Sequence, residues 1–82
     1  MSKLSSGYLF LLRHLVEARK ANGITQVDLA EKLQKPQSFV SKFERGERRL
    51  DVFEYISIGA KLNITSEDLS DILKKAIKSD AS

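Results

Sequence analysis

The chain contains no cysteine, so neither disulfide bonds nor thiolate metal sites can hold it together. That suits a reducing compartment, and the chain is read as cytoplasmic. Its single histidine, His14, has no second histidine or cysteine to share a metal, and no metal site or cofactor is expected. The four glycines (positions 7, 23, 46 and 59) are scattered, so no glycine-rich loop cradles a phosphate. Long apolar runs are also missing. The longest, Tyr8 to Leu12, is far too short to span a bilayer, and it lacks the basic flank and small-residue cleavage site of a secretory signal. The carboxylates form no convincing catalytic pair. From these absences no enzyme, no membrane span and no small-molecule ligand is expected.

What is present points to one small soluble domain. Hydrophobic residues make up 41% and charged residues 30%, the balance of a folded globule rather than a disordered chain. The net charge of +3 says little, but its distribution says more. From residue 32 to 49 there are six basic residues (Lys32, Lys35, Lys42, Arg45, Arg48, Arg49) against two acidic ones (Glu44, Glu47), which leaves the rest of the chain at −1. A concentration of this kind fits a phosphate-binding face, although most charge clusters are only solvated surface.

Helical periodicity runs through the whole chain. Residues 1–6 are polar and without period, a flexible start. Tyr8, Leu11, Leu12, Leu15, Ala18 and Arg19 then mark one face of a first helix that ends at Asn22-Gly23. Thr25 caps a second helix with Asp28 in its first turn, Ile24 packs back as a staple, and Leu29, Ala30 and Leu33 form the buried side. Gln34-Lys35 make a turn, and Pro36 opens a third helix that runs to about Arg45 and stops at Gly46. Val40 and Phe43 point inward with Phe39 at their edge. Gln37, Ser38, Ser41, Lys42 and Arg45 share the opposite face. Asp51 caps a fourth helix, whose inner side is expected to be Val52, Tyr55, Ile56, Gly59 and Ala60, and Asn63 ends it. Thr65 or Ser66 caps a fifth, with Leu69, Ile72, Leu73, Ala76 and Ile77 on its apolar face and Glu67, Asp68 and Lys74, Lys75, Lys78 suiting the two ends of its dipole. From Ser79 to residue 82 a loose tail is expected. The pattern predicts an all-α, compact five-helix bundle over residues 7–78, with no strand.

The second and third helices satisfy the needs of a helix-turn-helix: a small residue at their contact (Ala30), a short turn, and a second helix polar on its outer face. Residues 24–50 resemble the phage-repressor and Cro-type (XRE) family. The matching features are Arg19, Gly23-Ile24-Thr25-Gln26, Leu29-Ala30, Leu33, Ser38, Val40-Ser41, Phe43-Glu44 and Gly46, followed by an apolar fourth helix ending before Asn63-Ile64. With its flanks, the resemblance extends over roughly residues 10 to 73 and implies a lambda-repressor-like fold. One position departs from it, since glycine is usual where this chain has Gln34.

The resemblance implies double-stranded DNA as partner. Gln37, Ser38, Ser41 and Lys42 match positions that reach base edges. Gln26 matches a glutamine that contacts phosphate and braces the recognition helix, and Lys35, Arg45, Arg48 and Arg49 would lie along the backbone. Arg19 and Glu44 match a pair that usually forms a largely buried salt bridge. Glutamine can pair bidentately with adenine and lysine can donate to guanine, each such contact being worth about 1–3 kcal/mol of discrimination. Outside that motif, surface Gln and Lys would carry no special role. A surplus apolar stripe on the first helix (Leu9, Leu12, Val16) is either covered by the fifth helix or, with Leu69, Leu73 and Ile77, forms a homodimer interface. The chain is therefore read as a small bacterial or phage regulator, most simply a repressor on a palindromic operator. The absence of a sensor domain suits that role. The alternative is a protein-interaction module on the same fold, antitoxin-like or polymerase-contacting.

Overall fold

The computed structural model describes residues 4–81, and five helices are found among them: α1 (Ser6–Ala21), α2 (Gln26–Leu33), α3 (Gln37–Glu44), α4 (Val52–Lys61) and α5 (Ser66–Ala81). Local chemistry explains their starts. The Ser5 hydroxyl accepts from the Tyr8 amide at 3.1 Å. α2, α4 and α5 each begin with a reciprocal capping box, Thr25 with Asp28, Asp51 with Glu54, and Thr65 with Asp68. Thr65, not Ser66, is thus the fifth cap. Hydrogen bonds from the backbone amides of Thr25, Asp51 and Thr65 hold the carboxyls of Asp28, Glu54 and Asp68 below the usual carboxylate range.

The helix ends follow one pattern. Gly23, Gln34, Gly46 and Asn63 all adopt left-handed backbone with φ of 67°, 57°, 78° and 63°. In each case the next amide reaches back to a carbonyl five residues earlier, from Ile24 to Arg19, Lys35 to Ala30, Glu47 to Lys42 and Ile64 to Gly59, at 2.9–3.1 Å. Glycine adopts this conformation without steric cost and asparagine offsets the cost by local hydrogen bonding of its short side chain, whereas glutamine bears the full strain of its Cβ. The departure seen at Gln34 therefore leaves the turn in the expected geometry but under local strain.

Leu12 and Leu15 of α1, Leu29 and Ala30 of α2, Val40 and Phe43 of α3, and Tyr55, Ile58 and Leu62 at α4 form the central core. Ala30 is buried in this core, and α2 and α3 pack against each other. α5 packs along α1 through the buried Ile72 and Ala76. Of the second stripe on α1, Leu12 is buried in the central core and Val16 is half-buried, while Leu9 stays 43% exposed; the α1 residues that border α5 are instead Gly7, Leu11, His14 and Ala18.

Several expectations require correction. The inner side of α4 is Tyr55, Ile58, Gly59 and Leu62, whereas Val52 is 77% exposed, Ile56 44% exposed and Ala60 exposed. The segment is apolar around nearly its whole circumference, so periodicity alone picks the wrong stripe. Pro36 is the N-cap of α3 rather than its first residue, with extended backbone and no side-chain cap bond. The segment 79–81, expected as a loose tail, is helical, because the Asp80 carboxylate accepts the Gly7 amide of α1 at 2.9 Å and ties the two helices together. At the other end Ser5 is a cap and Ser6 is helical. The remaining parts of the expected flexible ends, residues 1–3 and 82, lie outside the described residues.

Candidate nucleic-acid interface

The outer face of α3 is set by the buried one. Val40 and Phe43 have no exposure, so Gln37, Ser38 and Lys42 are turned out to solvent and Ser41 is half-exposed. The Ser41 hydroxyl donates to the Ser38 carbonyl at 3.3 Å, and Lys42 stands exposed one turn after Ser38. These four residues form one continuous polar strip along an eight-residue helix.

A buried ion pair fixes the angle of that helix. Arg19 donates through Nε to Glu44 Oε2 at 2.6 Å and through Nη2 to Oε1 at 3.0 Å. Its Nη1 donates to the Ile24 carbonyl at 2.9 Å, which also secures the α1–α2 loop. Only 11% of the arginine side chain and 8% of the glutamate side chain remain exposed. Glu44 Oε1 also accepts from Gln26 Nε2 at 2.9 Å, and Gln26 Oε1 lies 3.5 Å from Gln37 Nε2, at the outer limit of a hydrogen bond. A chain of polar contacts thus leads from the core of α1 through Glu44 and the start of α2 to the first turn of α3. Arg19 and Glu44, expected as a pair, are brought together here with Gln26 and Gln37, which were expected to have roles of their own.

The basic residues are arranged differently from a simple cationic fringe. Arg45 is paired with Glu47, Nε to Oε2 at 2.8 Å and Nη2 to Oε1 at 3.2 Å. That pairing raises the arginine's pKa and holds the Glu47 carboxyl below its usual range. Arg48 is paired with Glu54 at 2.7 and 3.2 Å, also donates to the Arg49 carbonyl, and sits 5.2 Å over the Phe39 ring. Lys35 approaches the same ring at 5.5 Å. Arg49 stacks 4.7 Å over Tyr8, whose hydroxyl accepts the Leu50 amide at 3.1 Å and anchors the α3–α4 connection to α1. Phe39 is half-buried and meets Phe43 edge-on at 5.6 Å, as an edge-packing residue does. Sequence reasoning missed Tyr8, Glu47 and Glu54 as elements of this surface. Acidic residues interrupting a basic connection were the available signal for the two glutamates, while nothing local links Tyr8 to Leu50.

The residues named for a dimer interface divide. Leu69 is half-buried against the core, while Leu73 is 43% and Ile77 70% exposed. His14 is half-buried, with Nδ1 3.2 Å from the Phe10 carbonyl and its ring 4.5 Å from that of Phe10. Among the described residues no group of His, Asp and Glu could hold a metal ion, and no helix is long and apolar enough to cross a membrane.

Comparison with known proteins agrees with this arrangement. A helix-turn-helix family model matches residues 15–69, a span that takes in the ion pair, both helices of the motif and the start of α5. No curated protein matches the chain. With that match over two thirds of its length, the chain belongs to the Cro/C1-type (XRE) helix-turn-helix family, a non-enzymatic family of DNA-binding domains.

Proposed function

We propose that the chain is a transcriptional regulator, acting as a repressor, that binds a palindromic operator as a homodimer. α3 enters the major groove. Gln37, Ser38, Ser41 and Lys42 read base edges, Gln37 pairing with adenine and Lys42 donating to guanine O6 and N7. Gln26, Lys35, Arg45, Arg48 and Arg49 lie against phosphates and supply affinity without sequence information. The observation that carries this proposal is the outward polar strip of α3, with Gln37, Ser38 and Lys42 exposed and Ser41 half-exposed, held in place by the Arg19–Glu44–Gln26 contacts. A base-reading side chain is useful only if its helix cannot rock, and a buried bidentate pair restrains it from the inside.

The homodimer is supported by apolar surface that the fold leaves uncovered. Val52 and Ile56 of α4 and Leu73 of α5 border one groove with Tyr8, Leu11 and Leu69, and Ile77 continues the exposed apolar face of α5. An exposed contiguous patch of this kind marks an interaction surface in a soluble domain. A two-fold dimer formed there would present two copies of α3, as a palindromic operator with half-sites one helical turn apart requires. Equilibrium sedimentation tests the assembly. The parent is expected as a dimer and Ile56→Asp as a folded monomer with weakened operator binding. A parent that stays monomeric at concentrations saturating DNA would sink the dimer.

A further inference from the structure

The α3–α4 connection carries three arginines, yet two of them are already engaged by carboxylates. Arg45 and Glu47 meet fork to fork only two residues apart, across the left-handed turn at Gly46. Arg48 and Glu54 meet the same way, with Glu54 held in place by the Asp51 amide of the α4 capping box. Both pairs lie at the surface, so neither is needed to neutralise a buried charge. Exposed pairs contribute little to stability, and apart from the capping of α4 by Glu54 this gives the two glutamates no structural role.

We propose that Glu47 and Glu54 are intramolecular competitors of DNA phosphate, which keep Arg45 and Arg48 from gripping duplex of arbitrary sequence. The proposal rests on the phosphate roles given to these arginines above. Non-specific binding is driven by charge, since each phosphate neutralised releases a condensed counterion. An arginine already neutralised by a carboxylate offers no such gain at a distance. When α3 is seated in a matching groove, the connection is held against the backbone. There the short-range donors of the guanidinium, including the Nη1 edge of Arg45 that Glu47 does not use, can close on phosphate while the carboxylate turns away. The competitors therefore weaken the loose, charge-driven complex more than the seated one. They shift the balance of binding from backbone to bases.

The test is a fluorescence-anisotropy titration of the full chain over a range of salt. Two duplexes are used, one of random sequence and one selected by the protein from a random pool. Glu47→Gln carries it, because this side chain is exposed and caps no helix. Glu54→Gln is secondary, since the same carboxylate caps α4. Glu67→Gln, in the first turn of α5 and outside the α3–α4 connection, controls for net charge. Glu47→Gln is expected to tighten binding to the random duplex by about threefold to tenfold near 0.1 M salt and to steepen the logarithmic salt slope by about 0.9. The gain on the selected duplex should be smaller, so that the specificity ratio falls. Unchanged or weaker binding to random duplex would overturn the competitor role, as would equal tightening by Glu67→Gln. Arg45→Ala separates this inference from the one beneath it. If that variant binds all duplexes like the parent, the phosphate role of Arg45 itself fails. If it binds weakly while Glu47→Gln gains nothing, only the competitor role fails.

Discussion

Replacing Glu44 with alanine is expected to cost the fold about 3–5 kcal/mol, the usual penalty for removing one partner of a buried ion pair. The structure explains why the cost should be at the high end for a single side chain. Glu44 accepts three hydrogen bonds, two from Arg19 and one from Gln26. Alanine would leave Arg19 with only the Ile24 carbonyl, its guanidinium largely shielded from water and its charge uncompensated. A chain of this length holds on the order of 4–12 kcal/mol in total. The loss would therefore consume a large share of it and lower the melting temperature by about 12–40 °C. Thermal melting by circular dichroism measures this directly. Arg19→Met combined with Glu44→Leu should recover most of the loss, because the orphaned charge is removed with its partner. The same double variant should still bind DNA poorly, since Gln26 loses its tether. If Glu44→Ala melts within about 2 °C of the parent, a shift equivalent to well under 1 kcal/mol, the ion pair does not hold α3.

Other outcomes follow from particular residues. Gln34→Gly should stabilise the protein, because relief of about 1–2 kcal/mol of left-handed strain outweighs the entropy glycine adds to the unfolded chain, leaving a net gain of about 0.5–1 kcal/mol in denaturant unfolding. Tyr55 is buried and its hydroxyl donates to the Leu11 carbonyl at 2.8 Å. Burial, with a smaller contribution from Tyr8, pushes its pKa from 10.0 to about 12. Stability contributed by the protonated phenol is fully present below pH 10 and lost as pH rises towards 12. A spectroscopic titration should show one tyrosine ionising late, and Tyr55→Phe should abolish that phase. Gly7→Ala should loosen α5, since its Cβ would fall 2.9 Å from the Ala76 carbonyl oxygen, and amide exchange in the last turns of α5 should quicken. Lys42→Ala should relax base preference at one or two positions by about 1–3 kcal/mol while leaving the melting temperature unchanged.

The parts of this fold that were legible in the sequence are those governed by local rules. α2 and α3 alternate buried and exposed positions cleanly, so Leu29, Ala30, Val40 and Phe43 could be assigned inward from spacing alone, and the polar strip followed. Caps at Thr25 and Asp51 announce themselves by residue type. α4 defeated the same method because VFEYISIGAKL offers two apolar stripes, and only packing against α1 and α2 decides between them. The end of α5 was illegible for another reason, since Asp80 finds its partner 73 residues away. Arg19 and Glu44, 25 residues apart, came from the family resemblance and not from any spacing rule. The pairing of Arg45 with Glu47 lies in a turn, where no helical periodicity applies. A count of charges there suggested free cations, but the fold spends two of the three arginines on neighbouring carboxylates.

A sequence-specific regulator requires that the outer face of α3 read bases. Selection of bound duplexes from a random DNA pool, repeated with Lys42→Ala and Gln37→Ala, tests this most directly. The parent should enrich a two-fold symmetric site with half-sites about one helical turn apart, and each variant should lose preference at its own position in both halves while keeping the rest. Enrichment of no common sequence, or identical sites from the parent and both variants, would contradict it.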